Sequence, residues 1–215
     1  ETIAAAAEAI LCPRRDLEGL RVLVTAGPTV ERIDPVRYIT NRSTGKMGYA
    51  IAEAARDRGA EVTLVSGPVQ LARPAGVAYV GVESCAEMHD AVLSGAASAD
   101  IVLQAAAPAD FTPEKFVSGK IKKTGEGMLL RLKNTADIAR ELGARKRAGQ
   151  ILVAFAAETD DVLANAREKL ARKNADMVVA NDVSRADAGF GADTNVVTLI
   201  TAEDARPLEK MDKRA

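Results

Sequence analysis

Along the chain, short continuous apolar runs alternate with segments whose apolar residues recur at helical spacing. Runs bounded by Gly, Pro or Asp are typical of buried parallel strands, and the segments between them are typical of crossover helices. The predicted strands are RVLVTA (21–26), EVTLVS (61–66), IVLQAA (101–106), ILVAFA (151–156) and DMVVAN (176–181). The predicted helices span 49–59, 85–96, 135–146 and 160–173. The pattern predicts a Rossmann-like, doubly wound α/β fold with a mostly parallel sheet.

Three further segments fall outside this alternation. MLLRLK (128–133) and NVVTLIT (195–201) predict an extra strand pair or a mixed sheet edge. Residues 112–127 hold four lysines and three glycines with little periodicity, which predicts a mobile flap. We interpret residues 1–18 as a linker or tail and residues 19–215 as one α/β domain.

Composition narrows the class of protein. The chain of 215 residues has 29 Lys and Arg against 30 Asp and Glu, so it lacks the basic field that nucleic-acid binding requires. It also has no apolar run near the roughly 18 residues of a membrane helix, and we expect a cytoplasmic protein that binds neither nucleic acid nor membrane. Because the chain begins at Glu1 without Met, it is consistent with a piece of a longer polypeptide.

Cysteine and histidine are too sparse for several kinds of site. The chain has two cysteines, Cys12 and Cys85, and one histidine, His89, without a CxxC pair. A disulfide framework, a Cys/His zinc site and a Ser-His-Asp hydrolase are therefore disfavoured. We interpret all three residues as packing or surface residues.

The residues after the first strand favour an anion site. TAGPT (25–29) is a small-residue turn, and Gly27 within it allows backbone N–H groups to approach a phosphate. NRSTGKMG (41–48) then opens a helix, where amide groups, the helix dipole and a lysine suit an anion. A plain capped helix start is the alternative. The candidate anion-binding residues of this segment are Ser43, Thr44, Gly45 and Lys46.

Two familiar phosphate-binding motifs do not fit. A Walker A loop would require Gly at position 40 and Ser or Thr at position 47, where the chain has Thr40 and Met47. The dinucleotide fingerprint fails as well, because no GxGxxG follows the first strand and no carboxylate ends the second.

Two later strand ends add candidate nucleotide contacts. AAAPADF (105–111) would let a ligand lie against the backbone beside the carboxylate of Asp110. A close helix–strand contact capped by Asp110 is the alternative. FAAET (155–159) offers Phe155 for stacking on a base and leads to Lys169 and Lys173, one turn apart on a helix. Core packing and solvent exposure are the alternatives for these three side chains.

The flap carries the remaining cations. KIKK (120–123) predicts either a solvated basic face or a lid that brings Lys120 onto a polyphosphate. Donors, cations and few carboxylates are the groups that nucleotidyl or phosphoryl transfer requires, normally with Mg²⁺.

Five segments together resemble bacterial phosphopantothenate-cysteine ligase over about residues 17–205. The match lies in TAGPTVERIDPVRYITNRSTGKMGYAIA, AAAPADF, KIKK, FAAET and KNADMVVANDVS, in this order and spacing. The resemblance implies CTP-dependent ligation of L-cysteine to 4′-phosphopantothenate through an acyl-cytidylate, with release of pyrophosphate and CMP. It further implies a homodimer, no flavin in this domain, and a native fusion to a flavin-dependent decarboxylase.

The resemblance also implies roles for individual residues. Asn41 matches a catalytic asparagine that holds the acyl carbonyl, Arg37 an arginine of the same site, and Lys120 the flap lysine. Metal ligands are not implied. The cytidine site maps onto Gln104, Ala105, Ala106, Asp110, Ala136, Asp137, Ile138, Ala139, Phe155, Lys169 and Lys173.

Some features depart from the family or leave the function open. NTADIA (134–139) is one residue longer than the usual NPDI and lacks its proline, so the contacts of residues 136–139 are uncertain. The choice of CTP over ATP rests on the resemblance alone. A nicotinamide-dependent reductase, which would change NADPH fluorescence, and a non-catalytic nucleotide-binding module, which would not need Asn41, Lys120 and Asp110 together, are the alternatives.

Overall fold

A computed structural model describes residues 14–123, 125, 127–158, 161–182 and 194–213. Cys12, most of the predicted linker and part of the predicted flap lie outside these residues. The helices are α1 (Lys46–Asp57), α2 (Cys85–Ala96), α3 (Ile138–Arg145) and α4 (Val162–Arg172). The strands are β1 (Arg21–Ala26), β2 (Val30–Arg32), β3 (Tyr38–Thr40), β4 (Glu61–Ser66), β5 (Ala78–Gly81), β6 (Ile101–Gln104), β7 (Phe111–Pro113), β8 (Leu132–Asn134), β9 (Ile151–Glu158), β10 (Met177–Asp182), β11 (Thr194–Asn195), β12 (Val197–Ile200), β13 (Ala205–Pro207) and β14 (Met211–Asp212).

The central sheet has eight strands in the order β13-β12-β10-β9-β6-β1-β4-β5. The six strands from β10 to β5 are parallel, whereas β12 and β13 add an antiparallel edge. Taken alone, the parallel strands have the 3-2-1-4-5-6 order of dinucleotide-binding folds. The predicted Rossmann-like fold is confirmed, and the direction of the crossovers reverses between β1 and β6.

Helices cover both faces of this sheet. On one face, Val22, Val24 and Leu64 pack with Ala52 and other small residues of α1. On the other face, Leu23 packs against α2 and α3, and a third cluster lies between α4 and strands β9 and β10. Apolar residues on both sides of β1 explain why its sequence reads as a continuous apolar run.

The ends of α2 and α3 are fixed by side chains. Ser84 and Glu87 form a reciprocal capping box at the start of α2, and the buried Glu31 carboxylate accepts the N–H of Cys85 at 2.8 Å. This contact attaches the β2–β3 hairpin to α2. At α3, Asp137 accepts the N–H of Arg140 at 3.1 Å, so the helix begins at Ile138 and not at the predicted residue 135.

The remaining differences from the predicted elements have local causes. The strand predicted at 101–106 is β6, which ends at Gln104 because the Ala106 N–H donates to the Thr25 hydroxyl at 3.0 Å. Only the end of 128–133 is a strand, since β8 pairs with three residues of β7 and Leu129 is 86% exposed. The predicted strand at 195–201 is confirmed as β12, which pairs with β10 and β13 and forms the predicted mixed edge. Among the described helices, none has the length and apolarity to cross a membrane.

Candidate functional site

A cleft of about 1300 Å³ opens at the carboxyl-terminal halves of β6, β9 and β10. This is the sheet edge where open α/β folds bind ligands, next to the point where the strand order reverses. The described lining comprises Asn41 to Met47, Gln104 to Phe111, Asn134 to Glu141, Ala144, Ala154 to Ala156, Lys169, Arg172, Lys173, Asn181, Asn195 and Lys213.

Two fully buried threonines hold the floor of the cleft in place. The Thr25 hydroxyl accepts the N–H of Ala106 at 3.0 Å, and the Thr29 hydroxyl accepts the N–H of Ala109 at 2.9 Å. Between them the N–H of Ala107 donates to the carbonyl of Gly27 at 2.9 Å. The backbone that is predicted to read a nucleotide is therefore fastened to the turn after β1.

Gly27 itself lies beneath this floor and is not part of the cleft lining. Its φ of +75° is one that side-chain-bearing residues rarely adopt, and a Cβ would lie 2.8 Å from Cγ1 of Val69. The turn therefore needs glycine for its conformation and packing. The predicted phosphate contact of Gly27 stays a prediction.

The segment that precedes α1 forms one wall of the cleft. The Asn41 amide donates to the carbonyl oxygens of Ala107 and Pro108 at 3.3 and 3.0 Å, so it lies where β3 meets the floor. Gly45 begins α1 in a left-handed conformation, and no side chain caps this helix. With Ser43, Thr44 and Lys46 also in the lining, the helix N-terminus faces the cleft, as an anion site requires.

The N-terminus of α3 and the inner face of α4 form the opposite wall. Lys173 is buried and is the residue directly after α4. It pairs with the Asp137 carboxylate at the start of α3. Burial raises the pKa of Asp137, but the hydrogen bonds from Lys173 and the Arg140 N–H outweigh it and lower that pKa overall. Lys169 donates to the carbonyl of Phe155 at 2.7 Å. The two lysines are thus held at the cleft and do not extend into solvent.

The loop between β8 and α3 closes this wall. The N–H and hydroxyl of Thr135 donate to the carbonyls of Asp110 and Ala109 at 2.9 and 2.7 Å. Ala136, Ile138 and Ala139 follow in the lining. The longer NTADIA loop therefore still reaches the floor, through a threonine where the family usually has proline.

The cleft is cationic although the chain is nearly neutral. Seven basic and three acidic side chains line its described part, whereas the whole chain has a net charge of −1. The basic residues are Arg42, Lys46, Arg140, Lys169, Arg172, Lys173 and Lys213. Arg42, Arg140, Arg172 and Lys213 were not predicted as site residues, because a lone lysine or arginine usually faces solvent.

Two buried amide atoms in the cleft lining have no hydrogen-bond partner in the described structure. They are Nε2 of Gln104, at the end of β6, and Oδ1 of Asn181, in β10. Such atoms are rare in folded proteins, and a polar ligand would satisfy both a donor and an acceptor here. The sequence suggested a backbone role for Gln104 and no role for Asn181.

Besides Gly27, two predicted site residues lie outside the cleft lining. The Arg37 guanidinium pairs with Asp34 and donates to the carbonyl of Ile121 at 2.7 Å, and Lys120 is exposed on the flap. The structure therefore brings together Asn41, Asp110, Phe155, Lys169 and Lys173, but it does not place Arg37 or Lys120 with them.

A dedicated metal site is not found in the part of the chain that the structure describes. No three His, Cys, Asp or Glu side chains there are grouped so that they could hold an ion. Asp110 is the carboxylate nearest the predicted nucleotide floor. The lining residues therefore do not form a metal site by themselves.

Comparison with known proteins identifies a family and several similar proteins. Residues 17–215 match the family described as DNA/pantothenate metabolism flavoprotein C-terminal domain. The coenzyme A biosynthesis bifunctional protein CoaBC of Bacillus subtilis (strain 168) is 58% identical over 184 residues, which cover 85% of this chain and 45% of that protein. The CoaBC protein of Escherichia coli (strain K12) is 43% identical over 98% of this chain and 53% of its own length. The chain thus spans about half the length of these relatives.

Solved structures agree. The crystal structure of the C-terminal domain of CoaBC has a TM-score of 0.79 and 42% identity, covering 93% of this chain and 91% of that one. A Cab2 mutant in complex with phosphopantothenate-cysteine shares the fold with a TM-score of 0.72, at 16% identity and over 96% of this chain and 82% of that chain.

Proposed function

The chain belongs to the family of DNA/pantothenate metabolism flavoprotein C-terminal domains, and on that premise we propose that it joins L-cysteine to 4′-phosphopantothenate. CTP activates the substrate, and the products are 4′-phosphopantothenoylcysteine, CMP and pyrophosphate. The names of the CoaBC relatives place them in coenzyme A biosynthesis. A second, fused half with decarboxylase activity stays a prediction.

The observation that carries this proposal is the cationic cleft of a nearly neutral chain. A nucleoside triphosphate and a phosphorylated acid bring several negative charges to one place. Basic side chains and the uncapped start of α1 can offset these charges locally, where the net charge of the chain cannot.

In the first step, the carboxylate of phosphopantothenate attacks the α-phosphorus of CTP. An O–P bond forms while the bond to pyrophosphate breaks, and an acyl-cytidylate results. In the second step the cysteine amine attacks the acyl carbon, the bond to CMP breaks, and the amine releases a proton. Neither step needs a covalent enzyme intermediate, so positioning and charge stabilisation suffice.

We assign Asn41 to the acyl carbonyl. An amide N–H can offset the negative charge that develops on the carbonyl oxygen, and it does so without titrating. Its hydrogen bonds to Ala107 and Pro108 already hold the amide beside the floor, and one of them would be exchanged for the substrate.

The nucleotide would lie on the floor between the two walls. The backbone of Gln104 to Ala106 would read the base edge, Asp110 would face the ribose, and Phe155 offers a surface for stacking. Lys169, Lys173 and the start of α3 would meet the phosphates, with Lys120 added from the flap. Mg²⁺ would supply further phosphate neutralisation. Among the described residues, no group of His, Cys, Asp or Glu side chains could hold it by itself.

A homodimer is supported by exposed apolar side chains on neighbouring hairpins. Strands β2 and β7 contact each other, and large apolar side chains on and beside them are exposed. Light scattering should give twice the chain mass if the protein is a homodimer. The exposed side chains are Val36, Tyr38, Phe111, Phe116 and Leu129.

Pyrophosphate release tests the proposed activity. The chain is mixed with 4′-phosphopantothenate and either CTP or ATP, with and without cysteine. We expect release that requires phosphopantothenate and CTP, a single burst without cysteine, and turnover only with it. Equal release without phosphopantothenate would contradict an acyl-nucleotide mechanism, and a preference for ATP would contradict the nucleotide assignment alone.

A further inference from the structure

The turn between β2 and β3 contains a carboxylate that is completely buried. The Asp34 side chain has 0% of its surface exposed. Its Oδ1 accepts the N–H groups of Val36 and Arg37, both at 2.8 Å. Its Oδ2 accepts Nε of Arg37 at 3.0 Å, Nη2 of Arg37, and the N–H of Ile121 at 3.1 Å. Most of these bonds are local, but the last joins the turn to a segment 87 residues away.

Ile121 is held at both of its backbone groups. Its N–H donates to Asp34 at 3.1 Å, and its carbonyl oxygen accepts Nη2 of Arg37 at 2.7 Å. A second contact lies four residues earlier, where the N–H of Val117 donates to the carbonyl of Ile33 at 3.1 Å. Between these two anchor points Gly119 and Lys120 are exposed. We call residues 114–123 the flap segment and the Asp34–Arg37 pair on Ile121 the clamp.

The charges explain why the clamp persists. A buried carboxylate without a partner is costly, and here the guanidinium and three backbone N–H groups satisfy it. The hydrogen bonds from Arg37 hold the pKa of Asp34 well below its usual value, so the carboxylate stays ionised near neutral pH. Arg37 is thereby engaged with the flap segment rather than with the cleft.

The clamp also lies close in the chain to Asn41. Arg37 is followed directly by the three residues of β3, and Asn41 comes next. Three extended residues span about 10 Å, so one short strand links the clamp to the catalytic candidate. The same pair therefore fixes the base of the flap segment relative to the wall that carries Asn41.

We propose that Asp34 is a positioning residue, which acts through Arg37 and the backbone of Ile121 to set where Lys120 can reach. This inference rests on the proposed function, because it assumes that Lys120 contributes to turnover. A role in folding of the hairpin alone is the competing explanation, and the two differ in how Asp34 couples to Lys120.

A double-mutant cycle separates these explanations. Asp34→Asn keeps the oxygen that meets Val36 but replaces Oδ2 with an NH₂ group, which cannot accept from Arg37 or Ile121. We expect Asp34→Asn to lower kcat by about tenfold or more, and Lys120→Gln by roughly 10²-fold, as for a lost charge-stabilising group. In the Lys120→Gln background, Asp34→Asn should change kcat less than about twofold.

Asp100→Asn is the matched control. Asp100 also accepts a backbone N–H, that of Arg21 at 2.9 Å, and pairs with the guanidinium of the same residue. It lies at the opposite end of β1 from the cleft. Its substitution should leave kcat and the coupling to Lys120 unchanged.

Trypsin cleavage gives a readout independent of activity. Lys115, Lys120, Lys122 and Lys123 are exposed, so a released flap segment should be cut faster in Asp34→Asn than in the wild type or Asp100→Asn. If wild-type turnover is absent, the proposed function fails while this readout still reports on the clamp.

Two results would overturn the positioning role. The first is that Asp34→Asn lowers kcat by the same factor in the Lys120→Gln background as in the wild type. The second is that Asp34→Asn changes neither turnover nor the rate of trypsin cleavage. Should Asp34→Asn fail to fold, Arg37→Lys replaces it in the same cycle, because lysine keeps the charge but cannot hold Asp34 and Ile121 in the same geometry.

Discussion

Two regions of the chain combine glycine with lysine. One comprises residues 25–29 and 45–48, which we call the glycine turn, and the other is the flap segment. In the glycine turn the glycines are packed: a Cβ at Gly48 would lie 2.5 Å from Cβ of Ala26 and 2.7 Å from the Thr25 carbonyl oxygen. In the flap segment a Cβ at Gly119 would have no atom within 4 Å. The same residue type thus permits a close helix–strand contact in one region and only local chain freedom in the other.

The lysines differ in the same way. Lys46 lines the cleft at the start of α1, whereas Lys120 is exposed and lies between two anchor points, the Val117 N–H and the clamp at Ile121. The first region is packed against β1, whereas the second is attached to the β2–β3 hairpin by a few hydrogen bonds. We therefore expect substitutions in the first to affect both stability and activity, and substitutions in the second to affect activity alone.

The largest expected effect concerns Asn41, in the cleft wall that also holds the start of α1. Asn41→Asp places a carboxylate against the carbonyl oxygens of Ala107 and Pro108 and removes a donor from the acyl carbonyl. Turnover should fall by about 10² to 10³, as it does when an oxyanion donor is lost. Steady-state pyrophosphate release measures this, with circular dichroism to verify folding. Near-normal turnover of a folded variant would mean that Asn41 only holds the floor.

An intermediate effect tests the contrast between the two kinds of glycine. Gly48→Ala forces α1 away from β1, and we expect it to lower the free energy of unfolding by about 1–3 kcal/mol, even though alanine favours helix. Gly119→Ala is the matched control and should leave that free energy within about 0.5 kcal/mol. Urea unfolding of both variants measures the difference, and equal stabilities would contradict the packing explanation.

The smallest expected effect depends on pH and concerns the contact between α2 and α3. His89 bonds to Glu141 of α3 at 2.7 Å and to Asp90 at 2.9 Å, and Arg145 also pairs with Glu141. The hydrogen bond to Glu141, followed by that to Asp90, raises the pKa of His89 above 6.5. The ion pairs of protonated His89 therefore contribute fully to the free energy of unfolding below about pH 6.5, and this stabilisation is lost as the pH rises through the raised pKa.

Thermal unfolding between pH 5.5 and 8.5 checks this. The wild type should lose less than about 1 kcal/mol relative to His89→Gln across that range, because partly exposed ion pairs are screened. The clamp should not add to this dependence of stability on pH, since the pKa of Asp34 is lowered and lies far below this pH range. A wild-type slope equal to that of His89→Gln would show that the α2–α3 contact is not ionic.

Strands buried on both faces could be predicted from sequence because their apolar runs are unambiguous. The bounds of β1 and β4 and those of α2 agree with the predicted ranges. The β2–β3 hairpin was missed, since VER and YIT are too short and too polar to produce a pattern. A short hairpin that depends on Glu31 and Asp34 for its contacts leaves no periodic signal.

In the cleft, too, some features could be predicted from sequence and others could not. The strand ends and the N-terminus of α1 were predicted, because in a parallel sheet all carboxyl ends meet at one edge. The contacts of Thr25 and Thr29 with residues about 80 positions away were not, and neither was the burial of Lys173 against Asp137. Helical spacing places a lysine on a face but does not say what packs there.

The sequence by itself determined the alternation of strands and helices, the near-neutral charge and the cluster of polar and glycine residues at the strand ends, because these depend on residues near one another in the chain. Tertiary structure alone decided which of those residues share the cleft. Arg37 precedes Asn41 by four positions, yet its guanidinium faces Asp34 and Ile121 instead of the floor. Pairing energies between distant groups are realised only once the chain is folded, so residue type and spacing could nominate Arg37 but could not place it.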